Sequence, residues 1–429
     1  MRPTGQGVDV TTSFDSFDRM WADLEPLGRD PGTGGYRRYA WTRTDHDLRA
    51  WFAGECAARG LDLVEDRAGN QWGWWGDPDV TPGVIIGSHL DSVPDGGAFD
   101  GPLGVVSALA TVDALRARGI EPDVPLGVVN FVDEEGARFG IACAGSRIIT
   151  GALDADRARG LIDADGVSMA EAWRSAGRDP ATLGRDDEAL RRVAAFVELH
   201  VEQGKALAVA PDGGDELADP ARAVAIGTDI WPHGRWRIDL PGEANHAGTT
   251  RMADRRDAML GLATVVQSAR SYAVALGCVA TVGKVHVVPG GVNAIPSHVT
   301  AWLDARGERE EAVRAAVDAV SEEAARYGAT TTEESWTPTT AFDTGLVERL
   351  QGILPDAPLL GTGAGHDAGV LATHGVPSAM LFVRNPTGVS HSPSESAGVE
   401  DCHHGVMALT AVVTALSTGK AAATAGEHR

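Results

Sequence analysis

Apolar residues recur along the chain with two periods, and the texture they set changes twice. From His46 to Gly60 (HDLRAWFAGECAARG) they fall at helical spacing and the segment closes on glycine, as a helix stop should. LDLVEDR then predicts a short strand, followed by an aromatic run at QWGWW. GVIIGSH is a compact apolar run, read as a buried strand ending in Ser88 and His89. GPLGVVSALATVDALRARG is a strong helical pattern with small residues on one face, and PLGVVNFVDEE is a further strand. Strand, helix, strand predicts a parallel βαβ unit, with chemistry at the C-terminal ends of its strands. Asp133, Glu134 and Glu135 fall at such an end.

From about Ala221 the order is different. RWRIDLPGEA reads as a strand, ADRRDAMLGLATVVQSARSYAVALG as a long helix, and VATVGKVHVV and HVTAWLDAR as strands. EREEAVRAAVDAVSEEAARYG is another helix and ATTTEESW a last strand, completing the ferredoxin-like order β-α-β-β-α-β. The stretch APDGGDELADP before it reads as a linker, and after about Pro338 the alternating α/β texture returns. The expectation is an α/β domain with a parallel-rich sheet, in two pieces (1–219 and 337–429), interrupted by an inserted domain (220–336). A length of 429 residues agrees with two domains.

Composition narrows the function classes. With 37 basic and 60 acidic residues the formal charge is -23, which repels phosphate backbones and anionic membranes. No nucleic-acid or membrane partner is expected. No apolar run approaches the roughly 18 residues of a bilayer span, and the polar start MRPTGQGVDVTTSFDSF is not read as a secretory signal. Cys56, Cys143, Cys278 and Cys402 are widely spaced and read as reduced thiols of a cytoplasmic protein. No GxSxG elbow supports a serine hydrolase.

Four elements carry candidate chemistry. In GSHLDSVPDGGAFDGPLGV, His89 and Asp91 form an HxD pair; Asp91 can orient the imidazole through one nitrogen while the other binds a cation. Asp100, in the same Gly-rich loop, could bridge two ions. Adjacent acids such as Glu134 and Glu135 repel at a partly buried strand end unless a cation or a proton intervenes. Neighbouring side chains also point apart, so one acid can ligate while the other serves as general base. His200 lies in FVELHVEQG and His391 in GVSHSPSESA; alone, each reads as a structural or loop histidine. As a set, three imidazoles and two carboxylates form a mixed donor group suited to Zn, Mn or Co.

GSHLDSVPDGGAFDGPLGV, DEEG, ELHVEQG, NHAGTTRM, VNAIPS, GAGHDA and SHSPSE together resemble, in order, the motifs of the M20 metallopeptidase-like amidohydrolases. The branch they look most like holds allantoate amidohydrolases and N-carbamoyl-L-amino acid hydrolases. The resemblance runs from about Gly34 to about Leu416. It implies a Zn-peptidase-like catalytic domain and an inserted dimerisation and lid domain. It also implies two divalent ions per subunit (Zn, Mn, Co or Ni). His89 and His200 would each bind one metal together with the bridging Asp100, with Glu135 and His391 completing the two coordination spheres. Glu134 would be the general base, and His246, acting in a homodimer, would stabilise the oxyanion. Asn293 and Arg306 would bind a substrate carboxylate, with Gln203 and His366 as further substrate contacts. The implied reaction is cleavage of the carbamoyl group of a small ureido acid, allantoate first and an N-carbamoyl amino acid or ureidopropionate as alternatives. An aminoacylase or dipeptidase, or a metal-free binding homologue, is more distant. Arg251, Lys205, Gly369 and Arg384 depart from the family wording and are expected at the pocket or its edges.

Overall fold

The computed structural model describes residues 11–209 and 222–418. These fall into two compact units. The first holds the residues up to Thr228, Ala341–Leu360 and those from Gly365 onward; the second holds Asp229–Thr340 with Gly361–Ala364. The stretch expected as a linker, 210–220, lies outside the described residues, and with it the boundary placed at 220. The second unit begins later than that boundary for a physical reason. Val224 to Gly227 pair with Val383 to Met380, which ties this segment into the sheet of the first unit.

In the first unit, strands Asp62–Glu65, Gln71–Trp75, Leu126–Phe131, Gly83–His89, Val193–Val201, Ser378–Val383 and Val224–Ile230 lie side by side in that order. The four central strands are mutually parallel and the flanking ones antiparallel. Gly83–His89, Leu126–Phe131 and Ser378–Val383 are buried at every residue, as continuous apolar strands covered on both faces must be. Helix Pro102–Ala117 buries thirteen of its sixteen residues, so it is enclosed all round. It packs on the sheet and beneath helices Thr11–Leu24 and Val399–Ser417.

The chain leaves the His89 strand toward Leu126–Phe131 on one side and returns to Val193–Val201 on the other. Where strand order reverses in this way, the diverging loops open a crevice beyond the strands' C-terminal ends. His89 ends one of those two strands and His200 is the penultimate residue of the other.

The second unit is a four-stranded antiparallel sheet in the order Thr330–Thr337, His233–Pro241, His298–Arg306, Val279–Val288. Helices Ala258–Leu276 and Glu310–Ala325 pack against each other and against the sheet. Trp236, Ile238 and Leu240 alternate inward with Val299, Ala301 and Leu303 to form the core between them. The long helix was expected from Ala253, but it starts at Ala258 because the Asp257 side chain accepts the N–H of Met259 and caps it. Among the described residues, no helix is long and apolar enough to cross a membrane.

Candidate active site

The crevice gathers the expected residues of the first unit. His200 places Nδ1 2.9 Å from the carbonyl of Val201, so Nδ1 is a donor and Nε2 is the atom turned to the crevice. His89 does the same through Asp91, whose carbonyl lies 3.2 Å and Oδ1 3.4 Å from its Nδ1. Both free nitrogens face one oxygen: Asp100 Oδ1 lies 3.1 Å from His200 Nε2 and 3.7 Å from His89 Nε2. Asp100 Oδ2 lies 3.3 Å from His391 Nε2, which is itself 3.7 Å from Glu135 Oε2. Two groups meet at Asp100, His89–Asp100–His200 and Asp100–Glu135–His391, and a third, Glu198–His200–His366, meets the first at His200. His89 and His200 thus share one group rather than taking one each, a grouping that sequence order could not show.

Asp91 also divides the adjacent acids. Its two carboxylate oxygens accept the N–H groups of Glu134 and Glu135 at 3.1 and 3.0 Å. With the backbone fixed, Glu135 turns to Asp100 and His391, while Glu134 Oε2 lies 3.8 Å from His89 Nε2. Burial and the neighbouring Asp100 push the Glu135 carboxyl up to about 7. Burial pushes Glu134 well above the usual carboxylate range, with Glu135 and Asp367 adding to the effect against the opposing His89. The hydrogen bond to Asp100 raises His391 to about 9. These shifts are what the protein's own charges impose. A cation among them favours the ionised carboxylates and neutral imidazoles instead.

The donor set fits such cations. His89 Nε2, His200 Nε2 and Glu135 Oε1 are buried and have no hydrogen-bond partner, a costly arrangement for three convergent polar atoms. Three site positions also hold non-glycine residues in the left-handed region: Asp133 at φ 55°, Gln203 at 59° and His391 at 54°. Each costs about 1–3 kcal/mol, a strain typical of ligand and active sites.

Other expected residues fall less simply. Gln203 donates its amide to Asp100 Oδ2 at 2.6 Å, so it braces Asp100 as well as bordering the crevice. The His366 ring lies 4.5 Å from that of His200, and burial with His200 alongside keeps its pKa well below the usual imidazole value. In the second unit, His246 and Asn293 are brought together: Asn245–His246 pairs with Ala294–Ile295, and Ala247 donates its N–H to the Asn293 carbonyl. His246 Nδ1 accepts the N–H of Gly248, leaving its exposed Nε2 as the protonated donor. Arg306 grips Asp304 through Nε and Nη2 at 2.7 and 3.0 Å and the Gly363 carbonyl through Nη1 at 2.9 Å. Its guanidinium is braced but keeps two N–H groups for another acceptor.

Of the departures from the family wording, Arg384 does not face the crevice. It is buried against Asp401 of the last helix, with Nε and Nη2 at 3.0 and 2.7 Å from the carboxylate oxygens. Gly369 is buried inside helix Asp367–Thr373. Arg251 is exposed and paired with Asp254, and Lys205 is exposed beside Gly388.

The sequence matches Peptidase family M20/M25/M40 over residues 85–415, a span that holds both cation groups. The chain belongs to that family. An N-carbamoyl-L-amino acid amidohydrolase of Geobacillus stearothermophilus is 36% identical, covering 94% of this chain and 99% of the relative. An allantoate amidohydrolase of Escherichia coli is 29% identical, covering 92% and 96%. A crystal structure of a hydantoinase/carbamoylase family amidase from Burkholderia vietnamiensis superposes with a TM-score of 0.80 at 28% identity, covering 96% of this chain and all of that one. As an M20 member with amidohydrolase relatives aligned over most of its length, the chain is a metal-dependent hydrolase acting on C–N bonds.

Two site residues of this M20 chain carry no signal of their own in the sequence. Glu395 Oε1 accepts the N–H groups of Phe99 and Asp100 at 2.7 and 2.9 Å, and its Oε2 accepts Ser390 Oγ at 3.1 Å. Ser390 Oγ also lies 3.1 Å from Asp100 Oδ2, so its one proton is shared between the two carboxylates. Glu395 stands within SHSPSE, so the motif that supplied His391 contained it. Gly101 is the other: at φ +85° it lets the backbone beside Asp100 pass under the His89 ring, where a Cβ would lie 2.4 Å from Cε1.

Proposed function

We propose that this chain cleaves the carbamoyl C–N bond of a small ureido carboxylic acid, with Glu134 as the proton carrier. The observation that carries the reading is the division of the two glutamates by Asp91, one toward the cation groups and one beside them. His89, Asp100 and His200 would hold one divalent ion, and Asp100, Glu135 and His391 a second. When bound, such ions lower the pKa of water and polarise a carbonyl oxygen; Zn, Mn, Co and Ni all suit this donor set. Glu134 takes the proton of the attacking water on a carboxylate oxygen and returns it to the departing nitrogen. Its buried setting, which favours the protonated form, suits the interval between the two transfers. The products are ammonia, carbon dioxide and the freed amine. In this reading His246, acting across a homodimer, offers its Nε2–H to the developing oxyanion. Asn293 and the braced Arg306 hold the carboxylate, which delivers the carbonyl already oriented.

Allantoate, expected from the motif wording, and N-carbamoyl-L-amino acids both belong to this class. The higher identity to the carbamoylase, 36% against 29%, favours the latter. A homodimer through the second unit belongs to the same reading; sedimentation checks it. The decisive assay is ammonia release by Mn-loaded protein from N-carbamoyl amino acids, allantoate and ureidopropionate. Glu134→Gln should lower turnover by about 100-fold or more with metal content intact. Near-normal turnover in that variant would end the proposal.

A further inference from the structure

Glu134 is held at two points by one residue, and nothing in the motif assigns that residue a role. Helix Ala144–Thr150 begins just after Cys143, and its first backbone donors are used in an unusual way. The N–H groups of Cys143, Ala144 and Gly145 donate to the carbonyls of Glu134, Asp133 and Val132, at 2.5, 3.0 and 3.0 Å. Donors orphaned at a helix start thereby clamp the acidic turn, residue against residue in reverse order. The clamp sets Cys143 directly against Glu134, in a left-handed conformation at φ 54° that turns its side chain inward. There Cys143 Sγ lies 3.3 Å from Glu134 Oε1.

We propose that Cys143 is a positioning residue for the reaction, its thiol donating to Glu134 Oε1 so that Oε2 is the oxygen that handles protons. Resting on the reading of Glu134 as proton carrier, this adds a residue to it. Two observations agree. Cys143 is 2% exposed, so water does not compete for Oε1. Burial, with Glu134 and Asp367 nearby, pushes the thiol well above its usual range, so it stays a protonated donor. A carboxylate with one oxygen bonded loses rotational freedom about its last torsion. The remaining oxygen is the one 3.8 Å from His89 Nε2, on the side of the cation groups.

The test compares Cys143→Ala and Cys143→Ser in metal-loaded full-length protein, alongside Glu134→Gln. Cys143→Ala should lower kcat by about 3- to 10-fold, the scale of one lost hydrogen bond, with KM and bound metal unchanged. Cys143→Ser keeps an O–H donor at the same place and should return kcat to within about twofold of the parent. A purely structural role would instead lower bound metal or thermal midpoint in both variants, with no rescue by serine. Unchanged kcat in Cys143→Ala, or equal losses in the two variants, overturns the proposal. Glu134→Gln separates the two ideas. If it is inactive while Cys143→Ala is normal, only the thiol's role fails; if it is active, the proton-carrier reading itself fails.

Discussion

Gly101→Ala changes one hydrogen to a methyl group and should disable the site. The residue sits at φ +85°, and a Cβ there would stand 2.4 Å from His89 Cε1 and 2.5 Å from Nδ1. Ordinary contact begins near 3.4 Å, so the imidazole must retreat by about 1 Å, the difference between the two distances. The ring cannot swing freely, because Nδ1 is held by Asp91, and the Asp100 backbone beside Gly101 is held by Glu395. Displacing a ligand by that amount should weaken cation binding and turnover by about 10- to 100-fold. The backbone at φ 85°, ψ -60° adds strain of its own for any residue with a Cβ. A control isolates that part: Gly119 follows the C-terminal end of the same helix at φ +65° with nothing within 4 Å of its Cβ position. Gly119→Ala should lose stability by the strain alone and bind metal normally. Calorimetric titration with Mn and steady-state ammonia release measure both effects. Wild-type metal affinity in Gly101→Ala, or equal loss in Gly119→Ala, would refute the account of why glycine stands there.

Two further outcomes follow from the charges. Protein charges hold Glu135 at about 7 and His391 at about 9, and cation binding needs the first ionised and the second neutral. Both pKa values are raised, so each proton is present below its value and must be displaced. Between pH 8 and pH 6 proton release on Mn binding should rise by about one, and affinity should fall more steeply with acid. Titration in buffers of different ionisation enthalpy reads this, and a constant release over that range would contradict it. Away from the crevice, Arg384→Met leaves Asp401 buried without its bidentate partner and should cost about 3–5 kcal/mol in urea unfolding. Metal content of the folded fraction should not change; a variant of normal stability would show that the pair is not structural.

The sequence by itself determined the two textures of the chain, because periods of 3.6 and 2 are local properties that burial imposes on each segment. Val279–Val288 and His298–Arg306 were legible to the residue, and so was the βαβ unit that puts His89 and the acidic turn at strand ends. Motif wording added the ligand set, since residues close in sequence travel together. What sequence order could not decide is which groups share a point in space. Asp100 takes its backbone partner from Glu395, 295 positions away, and its cation neighbours from three different strands and loops. The grouping of His89 with His200, the turning apart of Glu134 and Glu135, and the inward thiol of Cys143 all depend on contacts between distant segments. Arg384 shows the same limit from the other side: beside a catalytic motif in sequence, it is spent on Asp401 in the core. Periodicity reports only whether a side chain is covered. Its partner is set when the strands assemble in an order that the chain does not follow.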